Sequence, residues 1–124
     1  MYQLTVTGHF AAAHSLRNFK GRCEALHGHN WKVEVVVSGD KLDQADLLMD
    51  FGELKKLMNQ ALDRLDHRYL NELPPFDQVN PSSEMIAKWL FEQIARDLPP
   101  QVKMHSASAW ESHNAKATYL GPAD

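Results

Sequence analysis

His27-Gly28-His29-Asn30-Trp31-Lys32-Val33-Glu34-Val35-Val36-Val37-Ser38 alternates: His27, His29, Trp31, Val33, Val35 and Val37 share one side of an extended chain, and Asn30, Lys32 and Glu34 take the other. The stretch reads as a half-buried strand with its two histidines on the apolar face. Imidazoles two residues apart on a strand point the same way, as a shared metal ion requires. Any third ligand must come from another segment.

Upstream, Tyr2, Leu4, Val6, Gly8, Phe10, Ala12 and His14 hold the even positions of a second alternating stretch, with Gln3, Thr5, Thr7 and His9 on the odd ones. An unbroken pleat puts His14 on the buried side and His9 on the opposite one, which makes His14 the candidate third ligand. Arg17 to Arg22 is polar and basic, with turn-forming Asn18 and Gly21, and reads as a loop that delivers the chain to Cys23 and Glu24.

Downstream, Gly39-Asp40 closes the strand and Lys41 to Asp46 reads as a surface loop. Asp50 with Glu53 resembles a capping box, and Leu54, Leu57, Met58, Ala61, Leu62 and Leu65 follow helical spacing to an end near Asp66-His67. Leu73-Pro74-Pro75-Phe76 cannot be helical throughout. A second helix is expected with Asn80 as N-cap, Pro81 at its first position, Glu84 in its first turn and a buried stripe of Ile86, Trp89, Leu90, Ile94 and Leu98, stopped by Pro99-Pro100. Val102 to Trp110 and Ala115 to Leu120 read as strands joined by a turn at Ser112-His113-Asn114. The order ββααββ implies an α+β fold, an antiparallel sheet with both helices on one face. Such a sheet has exposed edges, which pairing between subunits would protect.

At 124 residues the chain fits a single domain spanning 1–124, and 44% hydrophobic with 23% charged residues argues against disorder. A net charge of −3 supplies no basic field for nucleic acid or anionic membrane. The chain has no transmembrane run and no signal-like N-terminus, and its lone cysteine rules out an internal disulfide; a cytoplasmic protein is expected.

His14, His27 and His29 offer three imidazoles and an open position, the pattern of a catalytic zinc site, although nickel, copper or iron could use the same set. The bland alternative is three polar residues at strand ends. Cys23 beside a cation would hold a thiolate, a base or nucleophile; otherwise it is a small apolar filler. Asp66-His67 is a candidate carboxylate-imidazole relay or simply helix-end charge. Glu111 could accept paired N–H donors from a flat heterocycle, or be a solvated turn residue. Lys20 and Arg22 could hold a phosphate, with a solvated loop as the default reading.

In combination, Phe10-Ala11-Ala12-Ala13-His14, Cys23-x-x-x-His27-Gly28-His29-Asn30, Asp50-Phe51, Leu65-Asp66-His67, Asn80-Pro81-Ser82-Ser83-Glu84 and Trp110-Glu111 resemble the 6-pyruvoyltetrahydropterin synthase / 6-carboxytetrahydropterin synthase family along nearly the whole chain. The resemblance implies the tunnelling fold, in which three ββααββ subunits close a twelve-stranded barrel and two trimers stack into a homo-hexamer with sites between subunits. By it, His14, His27 and His29 match the Zn2+ ligands, Cys23, Asp66 and His67 the proton-transfer triad, and Glu111 the carboxylate that anchors the pterin. Ser82 and Ser83 match residues near the pterin in some relatives.

The implied substrate is 7,8-dihydroneopterin triphosphate. In the branch with C-x-x-x-H-G-H the product is 6-carboxy-5,6,7,8-tetrahydropterin, with acetaldehyde and triphosphate released, on the route to queuosine and other 7-deazapurines. The 6-pyruvoyl branch usually has a longer gap after the cysteine. Glu24 adds an E-x-x-H-G-H motif like that of a branch forming 6-hydroxymethyl-7,8-dihydropterin for folate synthesis, and C-E-x-x-H-G-H is similar to a subgroup that does both. Ser112 departs from the threonine that often follows the glutamate. A non-catalytic zinc- or pterin-binding module is the alternative of another class, but such a module needs no proton-transfer set.

Overall fold

The computed structural model describes residues 1–18 and 25–123. Strands β1 (Tyr2–His14) and β2 (His27–Gly39) pair antiparallel along their whole length, from Tyr2 opposite Gly39 to His14 opposite His27. Helix α1 (Phe51–Asp63) follows, then a short strand β3 (Arg68–Tyr69), helix α2 (Ser83–Ala95) and a hairpin of β4 (Lys103–Ser112) and β5 (Ala115–Tyr119). The sheet order is β3-β1-β2-β4-β5, antiparallel except where β3 lies parallel to β1.

Alternation decides which face is buried. Val6, Phe10, Val33, Val35, Ala107 and Ala109 stand on one side of the sheet in register and are all buried. Phe10 lies opposite Trp31, and the two rings stack at 5.8 Å with planes 3° apart. Onto this face α1 lays Leu54, Met58, Ala61 and Leu62, and α2 lays Ile86, Ala87, Leu90 and Ile94. Full burial of each of Ile86, Leu90 and Ile94 contributes about 1.5–3 kcal/mol. Trp89 and Leu98, expected in the α2 stripe, only flank the core. Gly8 admits the end of Met58, for a Cβ there would stand 2.8 Å from its Cε.

Four local features differ from the expectations. Helix α1 ends at Asp63, short of Asp66-His67, and its N-cap Asp50 makes no side-chain cap bond. The chain then turns at His67, whose φ of 58° is left-handed, and the His67 amide donates to Ala11 O at 2.6 Å, which sets Arg68 and Tyr69 beside Ala12 and Ala13. A strand of two residues is too short to leave an alternation signal. The α2 N-cap is Ser82, whose hydroxyl accepts from the Met85 amide at 3.2 Å, so Pro81 lies before the cap and not at the first helical position. Asn80 is engaged elsewhere: its side-chain amide accepts from Arg17 N at 2.7 Å and donates to Arg17 O at 2.8 Å. Finally, β4 runs on to Ser112, the turn is His113-Asn114, and a register shift between Trp110 and Ser112 sets Glu111 in a bulge. Among the described residues no helix is long and apolar enough to cross a membrane.

Candidate metal centre

The end of β1 and the start of β2 are neighbours, so register alone brings the histidines together: His14 faces His27, and His29 faces Ala12 two pairs along. Their ring centres lie 4.5 Å (His14–His27), 5.3 Å (His14–His29) and 4.6 Å (His27–His29) apart, with Trp31 edge-on beneath His14 and His29. His14 is 1% exposed, whereas His27 and His29 open partly to solvent.

Two backbone carbonyls fix the tautomers. His14 Nδ1 lies 2.7 Å from Pro81 O and His27 Nδ1 2.9 Å from Ala25 O. A carbonyl only accepts, so each Nδ1 carries the proton and each Nε2 keeps its lone pair, the arrangement of a metal-ligating imidazole. Glu111 Oε1 stands among those nitrogens, 2.8 Å from His29 Nε2 and 3.5 Å from each of His14 Nε2 and His27 Nε2. One donor atom from each of the four residues falls within 4.8 Å of every other.

This set fits a divalent cation. His14 Nε2 and His29 Nε2 are buried without a hydrogen-bond partner, a condition that costs about 1–3 kcal/mol per group if left unmet. Glu111 approaches His29 Nε2 to 2.8 Å. Burial lowers the pKa of His29, with His27 and His14 adding to the effect against the Glu111 charge, which favours the neutral ring that a metal requires. Three imidazoles and a carboxylate suit zinc among several transition metals.

Asp66 and His67 are outside this donor group. Asp66 Oδ1 accepts the Ala11 amide at 2.9 Å and Oδ2 lies 3.0 Å from His67 Nδ1. The Ala11 N–H first, and the His67 ring second, hold the Asp66 carboxyl below its ordinary pKa. The His67 side chain is 82% exposed. It borders a cleft of about 540 Å³ with His29, Asn30, Arg68 and Tyr69 over a floor of alanines and Gly28. Ser82 is committed to capping α2, and Ser83 is the first residue of that helix. Cys23 and Glu24, with Lys20 and Arg22, lie outside the described residues.

The sequence reading missed how the chain is held after β1. Asn71 accepts from Ser15 N at 2.9 Å and donates to Ser15 O at 2.8 Å, repeating what Asn80 does at Arg17. The Arg17 guanidinium donates to the carbonyls of Val79, Asn71 and Phe76. Nothing local to an asparagine announces a partner more than fifty positions away.

A family model described as 6-pyruvoyl tetrahydropterin synthase matches residues 3–122. A dihydroneopterin monophosphate aldolase of Pyrococcus furiosus is 39% identical over 104 residues, 84% of this chain and 84% of its own. A 6-carboxy-5,6,7,8-tetrahydropterin synthase of Synechocystis is 34% identical over 118 residues, 91% of this chain and 88% of its own. The structure of Caenorhabditis elegans 6-pyruvoyl tetrahydropterin synthase superposes with a TM-score of 0.81 at 25% identity, covering 98% of this chain and 96% of that one.

Proposed function

The chain belongs to the 6-pyruvoyl tetrahydropterin synthase family, and from that premise we propose a zinc-dependent lyase that converts 7,8-dihydroneopterin triphosphate to 6-carboxy-5,6,7,8-tetrahydropterin, in queuosine and 7-deazapurine biosynthesis. Its α+β tunnelling fold and its place among pterin-processing lyases come from the relatives and structural neighbours. The observation that carries the reading of the site is the convergence of the His14, His27 and His29 Nε2 atoms, two of them buried without a hydrogen-bond partner.

A zinc ion held by these histidines would polarise the side-chain hydroxyls of the substrate and lower their pKa. The remaining roles fall to the chain. Asp66 orients His67 through Nδ1, which leaves Nε2 of an exposed ring free to exchange protons with substrate. Cys23 is the second proton carrier, a thiolate favoured by its place just before the histidines. Glu111 accepts the pterin ring N–H donors, with Ser82 and Ser83 beside the ring. Sites between subunits of a homo-hexamer suit a His67 that points outward in one subunit and the edge strands β3 and β5.

A second reading has one observation in its favour: the 39% identical relative bears the name of an aldolase acting on dihydroneopterin monophosphate. Glu24 would then serve a second reaction that forms 6-hydroxymethyl-7,8-dihydropterin. The test supplies 7,8-dihydroneopterin triphosphate and monophosphate to wild type, Cys23→Ala and Glu24→Ala and identifies the pterin formed. Loss of the 6-carboxy product in Cys23→Ala alone supports the main reading. A 6-hydroxymethyl product that vanishes in Glu24→Ala supports the second, and a 6-pyruvoyl product from wild type overturns both.

A further inference from the structure

We infer that Glu111 closes the three-histidine centre as a fourth donor while no pterin is bound, and leaves it for the pterin ring when one arrives. This rests on the reading of the site as a metal centre for pterin chemistry and adds to it a device that gates the open position.

Three observations carry the inference. Glu111 Oε1 is within 3.5 Å of all three Nε2 atoms, and no other described carboxylate joins that group. A carboxylate that served the pterin alone would have no reason to stand 3.5 Å from the Nε2 lone pairs of both His14 and His27, since in the absence of a cation such contacts are repulsive or at best neutral. The second observation is the backbone beneath it. Pairing of β4 with β2 ends at Lys32 opposite Trp110, and the register with β5 shifts between Trp110 and Ser112, so Glu111 lies beyond the last ladder pair on one side and in a bulge on the other. Bulges re-aim side chains, and this one lets a single residue swing without breaking a ladder. The third is exposure: the side chain is 39% exposed against 1% for His14, so it has solvent, or a ligand, to swing toward.

The chemistry favours exchange. Ionised, Glu111 can serve a cation or accept two parallel N–H bonds from a flat amidine-like ring edge, but its two oxygens cannot do both with good geometry. Seating the ring removes the carboxylate from the centre, so the fourth position opens only in the presence of substrate.

The test uses the full chain loaded with cobalt(II), whose visible spectrum reports the donor set, and a chelator competition for zinc; neither readout needs turnover. The probe is 7,8-dihydroneopterin. Wild type should show a spectrum that changes on addition of the pterin. Glu111→Gln should hold zinc about tenfold or more weakly, by comparison with the loss of partners to metal ligands, and show no such change. Glu111→Asp, which keeps the charge on a shorter arm, should fall between them and guards against a misfolded variant. Equal zinc affinity and identical cobalt spectra in wild type and Glu111→Gln would overturn the gate while leaving the three-histidine centre intact. Failure of wild type to hold either metal would overturn the metal reading itself.

Discussion

His14 and Pro81 are joined by a 2.7 Å hydrogen bond in which the ring donates to the carbonyl, so the last residue of β1 is oriented by the residue that precedes the N-cap of α2. The ring thus has a structural nitrogen and a metal-facing one, and the two can be separated. His14→Asn keeps a donor near the place of Nδ1 and has nothing in place of Nε2. It should fold with a midpoint close to wild type yet lose the stoichiometric metal. His14→Ala leaves the Pro81 carbonyl unpaired and should lose metal and about 1–3 kcal/mol of stability. Metal analysis beside urea denaturation distinguishes the two.

The Asp66 carboxyl is held below its ordinary value of 3.8 by the Ala11 amide and the His67 ring. A depressed folded pKa stabilises the folded state above the unfolded pKa, and the contribution is lost as pH falls through the folded value. Wild type should therefore be more stable than Asp66→Asn near neutrality, and the gap should close as pH drops below 3.8. Urea midpoints for both proteins at a neutral and an acid pH check this; a gap that is the same at both would contradict it.

Asn71 pairs with both backbone groups of Ser15 at once. Asn71→Ala should cost about 2–3 kcal/mol, the order expected for leaving a buried donor and acceptor unpaired. Asn71→Asp retains the acceptor but sets a carboxylate oxygen against Ser15 O and buries a charge, so it should cost at least as much. Thermal or chemical unfolding gives the ranking.

Two glycines should respond differently to alanine. At Gly39 an added Cβ meets Leu48 Cδ1 at 2.5 Å and, less forgivingly, the backbone oxygen of Gln101 at 2.8 Å. At Gly8 it meets the mobile end of Met58 at 2.8 Å. Gly39→Ala should destabilise by about 1–3 kcal/mol and Gly8→Ala by less, because a methionine tail can move and a backbone carbonyl cannot.

Period-two alternation carried most of the fold, because a sheet covered on one face by helices must sort its residues by parity. The same parity places His14, His27 and His29 on the apolar side of their strands, and register brings them together. Glu111 was legible as a carboxylate near a hairpin but not as a neighbour of the histidines. Its position depends on a bulge between Trp110 and Ser112, which alternation counts cannot see. Asn80 illustrates the opposite failure. Its sequence context is that of an N-cap, yet a tertiary partner, Arg17, claimed its amide and the role passed to Ser82.

The paired asparagines also tie the chain just after β1 to the stretch between α1 and α2. Asn80 grips the chain at Arg17, and the carbonyl of Ala25 is bound by His27 on the far side. In sequence, Cys23 and Glu24 fall between these two held residues, Arg17 and Ala25. Asn80 and Pro81 are neighbours, so one short stretch of chain both holds the backbone after β1 and orients the His14 ring.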